Sequence, residues 1–495
     1  MLNYKTKALW QIWGIAFLYT CVVSVFIQFL LLPYLLPHLH AGGGLFLGCP
    51  DCIGFNQIAV NMAEKIKTAG WGAWEFRPQS HTIAGMASAI YALTWSKLWV
   101  LIPLNAVLHA SAFLVLFQLI NLFIDDKNRS FLCALPFLIF PSNLQWTSQL
   151  HKDGFSILGI LLFLQGIISL SRLENWRERN WHIIIIRSFA CCIAGIALIW
   201  FVRPFMLTMI RFFTALLFSF LIAFFSIRTL RSILSWQKTL FTFVSFLIIF
   251  FILSQVNVKF GSGDLLESPK FSGPVFPLKE HVAQKISVPE TQKSAVYTTT
   301  LITASPLKEH VAQKISVLET QIESHWKRSS WLPLFIENKV YSLAQARKGF
   351  RFSGYEAKSN IDHNFGFNSV ESMLIYLPRA AQIVLFAPFP NQWFTENNSS
   401  GSSFMHRISA FEMTVTYFTL IFLPFAIWFW RRRIEIWVIF LFCIYMMLIY
   451  GLVICNIGTL YRMRYVYIMT LLGLGIAGFF VFLDKLIIRR KQATG

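Results

Sequence analysis

"SNLQWTSQLHKDG", residues Ser142 to Gly154, lies where the apolar run 131–145 gives way to the apolar run 154–171, and it sets His151, Lys152 and Asp153 side by side. Three ionisable groups are costly inside a hydrocarbon layer and readily hydrated at its surface. The stretch therefore reads as the turn of a helical hairpin at a membrane face. Working outward, the 495-residue chain is 56% hydrophobic, 16% aromatic and only 13% charged. A soluble domain carries about 25% charged residues, so an ordinary globular protein is excluded.

A bilayer core of roughly 30 Å takes about 20 apolar residues per helical span. Ten runs answer to that description, near 9–36, 98–124, 131–145, 154–171, 183–202, 204–226, 239–255, 408–430, 436–454 and 466–483. The run 131–145 is short and holds Pro136 and Pro141, and pairing it with 154–171 as a hairpin is the simplest reading. The first run is too long for a cleaved secretion signal and lacks a small-residue cleavage site, so it reads as a retained span. The predicted fold class is an all-α polytopic membrane protein of about ten transmembrane helices.

Orientation follows from the Lys and Arg of the short loops. Lys5 and Lys7, Lys127 and Arg129, Arg172, Arg177 and Arg179, Arg228, Arg231 and Lys238, Arg431 to Arg433, and Lys485 with Arg489 to Lys491 alternate with the runs so as to share one side. The positive-inside rule makes that side cytoplasmic, with both termini on it. These residues account for much of the formal charge of +20. No basic domain interleaved with stacking aromatics is present, so nucleic acid is not an expected partner.

Residues 1–255 then form an N-terminal transmembrane module with a first outer loop at 37–97, and 408–495 a C-terminal transmembrane module. Between them, 256–407 is a large second outer-face loop region. It contains a near-identical duplication, 277–292 and 306–321, and an interfacial or re-entrant segment at 372–394 that carries Arg379 and three prolines. Two copies are too few for a solenoid, and no catalytic role is assigned to them.

On this topology Lys152, Arg203, Arg462 and Arg464 all fall at the outer face, against the bias of the charge rule. Snorkelling or local pairing, as of Lys152 with Asp153, accounts for any one of them. Their joint placement points to an anion held at the membrane surface, and a lipid phosphate is the natural candidate. The first outer loop, "LFLGCPDCIGFNQIAVNMAEKIKTAGWGAWEFRP" (Leu45 to Pro78), supplies a carboxylate, Asp51. An amphipathic helix with Ile58, Met62, Ile66 and Ala69 on one face follows it, stopped by Gly70. Such a helix would lie on the outer leaflet with Trp71 and Trp74 as anchors.

These features resemble the membrane glycosyltransferases of the C-type fold, which include protein O-mannosyltransferases and aminoarabinose transferases of lipid A. The segments "PSNLQWTSQLHKDGF", "YLPRAAQIVLFAPFP" and "NIGTLYRMRY" are also similar to signatures of a bacterial branch of such proteins. The resemblance implies an enzyme of the bacterial cytoplasmic membrane. It would move a sugar from a polyprenyl-phosphate donor to a glycan, lipid or protein acceptor at the outer face. It implies Asp51 as general base and Lys152, Arg203, Arg462 and Arg464 as phosphate ligands. His151 and Asp153 would orient Lys152, and Glu412 would pair with an arginine. The chain departs from better-known members in that Cys52, not an acid, follows Asp51. No metal ligand is assigned, and a divalent metal stays an open alternative.

Rival readings have their own discriminants. Cys49 and Cys52 form a C-x-x-C suited to a structural disulfide or to a thiol oxidoreductase, although a relay usually needs a second exposed pair. Two cysteines alone do not close a zinc site, which needs four ligands. An O-antigen ligase or polymerase would use the arginines without an essential Asp51, and a transporter of lipid-linked saccharides would form no covalent product. Asn105 and His109 share a face of one span and read as helix-to-helix hydrogen-bonding groups.

Overall fold

The computed structural model describes residues 2–171, 181–230, 236–255, 326–353, 358–395 and 400–494. The duplicated segment and the basic loop at 172–180 lie outside them. The described chain is helical, with isolated bridges but no strand. In order come α1 (Leu2–Phe26, continued as a π-helix over Ile27–Leu35), α2 (Pro50–Ala69), α3 (Thr82–Leu93), α4 (Ile102–Ile124), α5 (Lys127–Ile139) and α6 (Pro141–Thr147). Then follow α7 (Asp153–Ser171), α8 (Trp181–Val202), α9 (Phe205–Leu230), α10 (Trp236–Gln255), α11 (Leu334–Ser353) and α12 (Val370–Phe386). The last five are α13 (Ser400–Leu420), α14 (Leu423–Trp430), α15 (Ile434–Val453), α16 (Ile457–Met463) and α17 (Tyr465–Thr494).

Among the described residues seven helices are long and apolar enough to cross a membrane: Lys7–Leu35, Leu98–Ile124, Asp153–Ser171, His182–Val202, Ser403–Trp430, Ile434–Val453 and Tyr465–Ile488. Seven of the ten expected runs are met by these helices. The run 131–145 falls across α5 and α6, which are parted at Phe140 in extended backbone. Pro141 disfavours helical geometry in the residue before it and is itself well placed to start a helix. The runs 204–226 and 239–255 are helical in α9 and α10.

The helices share two ends. At one, Arg129 of α5 pairs with Asp484 of α17 (Nη2 to Oδ1, 3.1 Å), Arg433 donates to the Leu122 carbonyl near the end of α4, and Lys485 lies over the Phe429 ring. At the other, Tyr465 at the start of α17 packs on Trp146 near the end of α6. The broken pair α5–α6 therefore runs the length of the bundle despite its kink. Lipid-facing character marks the periphery: Trp10, Ile15, Leu18 and Val22 of α1 and Ile183, Ile186 and Ile193 of α8 are exposed.

Helix α7 packs most tightly on α8, and glycine is the reason. A Cβ on Gly195 would stand 2.5 Å from the Gly159 carbonyl oxygen, and one on Gly166 would stand 2.4 Å from Cys192 Sγ. Close approach of this kind substitutes dispersion contact for the hydrophobic drive that lipid does not provide. It also fixes the start of α7 beside the end of α8.

One expectation changes here. The apolar face of α2 does not rest on a leaflet. Cys52, Phe55, Ala59, Met62, Ala63 and Ile66 are buried, whereas Ile58 is half-buried and Ala69 exposed. The small-residue helix α3 covers that face, and Tyr91 of α3 donates to Asn56 Oδ1 at 2.7 Å. The segment 372–394 is helical as far as Phe386, as part of the 17-residue helix α12, with Pro378 inside it and Ser369 as N-cap. It lies against α15 where Gly451 leaves room: a Cβ there would be 3.0 Å from the Ala380 carbonyl oxygen.

Candidate functional site

Asp51 sits in the first turn of α2, directly after Pro50. Proline suits the first helical position because its missing N–H has no partner there, and a carboxylate in that turn meets the positive end of the helix dipole. From there Asp51 Oδ2 accepts from Arg462 Nη2 at 3.0 Å. Arg462 comes from α16, 411 residues away in sequence.

Asp153 is the hub of the group. Its Oδ1 accepts from Arg203 Nη2, and its Oδ2 lies 2.7 Å from His151 Nδ1 and 3.4 Å from Arg462 Nε. Both its carboxylate and the His151 ring are only 3% exposed. Burial this deep requires pairing, since an uncompensated ion would cost several kcal/mol. Arg203 also donates to Ser156 Oγ at 3.2 Å, one turn along α7. Thus Asp51, His151, Lys152, Asp153, Arg203 and Arg462 come from the α6–α7 turn, the α8–α9 junction, α2 and α16 to one place.

Lys152 leans the other way. Its Nζ is 3.4 Å from His81 Nδ1 and 5.0 Å from the centre of the Phe55 ring. His81 and Phe55 carry no motif, so sequence reading passed over them. Phe55 was within reach of a helical argument, because it stands one turn beyond Asp51 on the same face. Burial and the neighbouring Lys152 push His81 down to about 4. Burial likewise lowers His151, so both imidazoles are neutral near pH 7. For Asp51, burial acts to raise the pKa, but the charge and hydrogen bond of Arg462, with the charge of Lys152, hold it below the usual carboxylate range.

The group brings together two carboxylates, two guanidinium groups and one ammonium. Two of its nitrogens, His151 Nε2 and Arg462 Nε, are buried without a hydrogen bond. Buried donors and acceptors are nearly always satisfied, so orphans in one cluster mark a place where something else binds.

Two predicted residues belong elsewhere. Arg464, expected on the phosphate, is fully buried and donates to the carbonyls of Ile383, Val384 and Ala387 at the end of α12. Residues two apart on a helix point about 200° from each other, so Arg462 and Arg464 face opposite ways. Glu412, expected to pair with an arginine, accepts instead from the Ser142 amide (2.8 Å), Ser142 Oγ (2.7 Å) and Tyr461 OH. Pro141 leaves the Ser142 amide at the start of α6 without a helical partner, and the carboxylate fills that vacancy. Glu412 thereby ties α13 to α6 and α16, the two elements that flank the cluster.

Cys49 and Cys52 form a disulfide around the first turn of α2. Asn143 of α6 meets His109 Nδ1 of α4 at 3.2 Å, a helix-to-helix contact, whereas Asn105 donates to the Gln149 carbonyl in the turn after α6. Asp362 accepts from Tyr376 and from Arg379 in a separate pair beside α12. Comparison with protein-family models, with curated proteins and with solved structures finds no match for this chain.

Proposed function

We propose that the chain is a membrane transferase that takes a glycosyl group from a polyprenyl-phosphate donor and hands it to an acceptor hydroxyl at the outer face of a bacterial cytoplasmic membrane. The observation that supports this reading most is the convergence of Arg203, Arg462 and Lys152 on a buried cluster that also holds a carboxylate, Asp51, at its rim. A phosphate is a strong acceptor for guanidinium and ammonium groups. In the proposal, the donor phosphate engages Arg462 and Lys152 and draws Arg462 away from Asp51. Asp51 then regains the basicity that the ion pair withholds and takes the proton of the attacking hydroxyl. The glycosidic bond to phosphate breaks as the bond to the acceptor oxygen forms, and the cationic groups of the cluster stabilise charge growing on the phosphate. Arg203 holds Asp153, and Asp153 holds Arg462 in place.

General-base catalysis is worth roughly 10² to 10⁴ in rate, so Asp51→Asn should lower turnover by about that factor. The test compares glycans and lipid-linked sugars in a deletion strain carrying wild-type protein, Asp51→Asn or Lys152→Ala at equal membrane levels. Loss of one glycan with build-up of its donor is the expected result in both variants. Full restoration by Asp51→Asn would remove the base, and restoration by both would remove the transferase reading.

The shared pairing of Arg462 with Asp51 and Asp153 also suits a carrier in which ion pairs exchange as cargo passes. Vesicles containing the purified protein separate the two: movement of lipid-linked sugar without a covalent product favours the carrier.

A further inference from the structure

The Cys49–Cys52 disulfide does not stand alone. A ring nitrogen of His151 and the two sulfurs all lie within 4.8 Å of one another, although His151 is about 100 residues away in sequence. All three residues are buried. His151 Nδ1 faces Asp153, 2.7 Å from Oδ2, closer than the Asp153 amide at 3.2 Å. Nδ1 is thus held on the Asp153 side of the ring, where the Asp153 amide donates to it and the carboxylate lies close, and Nε2 is the nitrogen on the far side. Nε2 is buried and has no hydrogen bond. A carboxylate that fixes one ring nitrogen while the other stays available is the arrangement that orients metal-ligating histidines.

We propose that Cys49, Cys52 and His151, with the disulfide reduced, form a three-ligand site for a thiophilic divalent cation of the Zn²⁺ type. Reduction comes first. A dithiol donor supplies two electrons and two protons to the S–S bond and becomes a disulfide itself. The cation then displaces both thiol protons and binds two thiolates and the neutral imidazole, leaving one coordination position for water. A C-x-x-C at a helix start is a familiar half-site for zinc, and the helix N-terminus favours thiolate over thiol. Two thiolates cancel the charge of the cation, so the loaded site adds no net charge to the cluster beside it. Disulfide and metal are alternative occupants of one site, and Asp51 lies between the two cysteines in either case.

The probe is Co²⁺, whose thiolate complexes absorb in the near ultraviolet and visible. Full-length protein in detergent is reduced with a phosphine, desalted without oxygen and titrated with Co²⁺ beside unreduced protein. We expect one Co²⁺ per chain with thiolate charge-transfer bands in reduced protein and none in the oxidised form. Binding should vanish in Cys49→Ser/Cys52→Ser and weaken roughly tenfold or more in His151→Ala. The proposal is overturned if reduced wild-type protein shows no such bands, if they persist in the double serine variant, or if His151→Ala binds as tightly as wild type. The comparison of oxidised with reduced wild type needs no variant to fold, and none of these outcomes depends on transferase activity.

Discussion

At the scale of the residue, Asp153 has the most to lose. One carboxylate serves Arg203, Arg462 and His151 in a place with almost no solvent. Removing one partner of such a group strands the others. Asp153→Ala should destabilise the protein by about 3–5 kcal/mol, read from thermal unfolding in detergent, and a loss below about 1 kcal/mol would deny it the role of hub. His81 gives a second handle. Its folded pKa of about 4 lies below the ordinary value of 6.5, so the unfolded chain binds the proton more readily. Its contribution is complete above pH 6.5 and declines as pH falls toward 4. The melting temperature of wild type should drop over that window, and His81→Asn should flatten part of the slope. Six cluster residues were legible as outer-face charges, yet their pairing was not, because it joins segments hundreds of residues apart. The misplacement of Arg464 was avoidable: its two-residue offset from Arg462 already sets the two on opposite faces of any helix.

Among elements, the contact between α7 and α8 carries a sharp prediction. Gly195→Ala would bring a methyl to 2.5 Å from the Gly159 carbonyl, and backbone cannot yield as a side chain does. Overpacking of this sort costs typically about 1–3 kcal/mol. Because Asp153 begins α7 and Arg203 follows the end of α8, the spreading should also weaken their pair. Gly14, which faces open space, supplies the control, and Gly14→Ala should leave the melting temperature unchanged. Hydropathy located α4, α7, α8, α15 and α17 closely, since a buried helix and a lipid-facing one are both apolar. It misjudged the surroundings of α2 for a related reason. A periodic apolar face says that something covers it, and neither period nor composition says whether that is lipid or α3. The kink between α5 and α6 was foreshadowed by Pro136 and Pro141, but only the second breaks the helix, because Pro136 is accommodated within α5.

For the whole molecule, the two ends of the bundle are distinct: one gathers Arg129, Arg433, Asp484 and Lys485, the other gathers the cluster. Membrane-impermeant thiol reagents should therefore reach a cysteine introduced at Trp71 from one side and a cysteine introduced at Lys491 from the other, in a background cleared of the six free native cysteines. Labelling of both from the same side would overturn the proposed topology. The helix α16, only seven residues long, shapes how force travels between these parts. On one face Arg464 grips the final carbonyls of α12, and on the other Arg462 grips Asp51. So short an element cannot bend between its two grips; it can only roll or shift as a rivet does. A push on α12 is therefore felt at Asp51, the two being geared together through about two turns of helix.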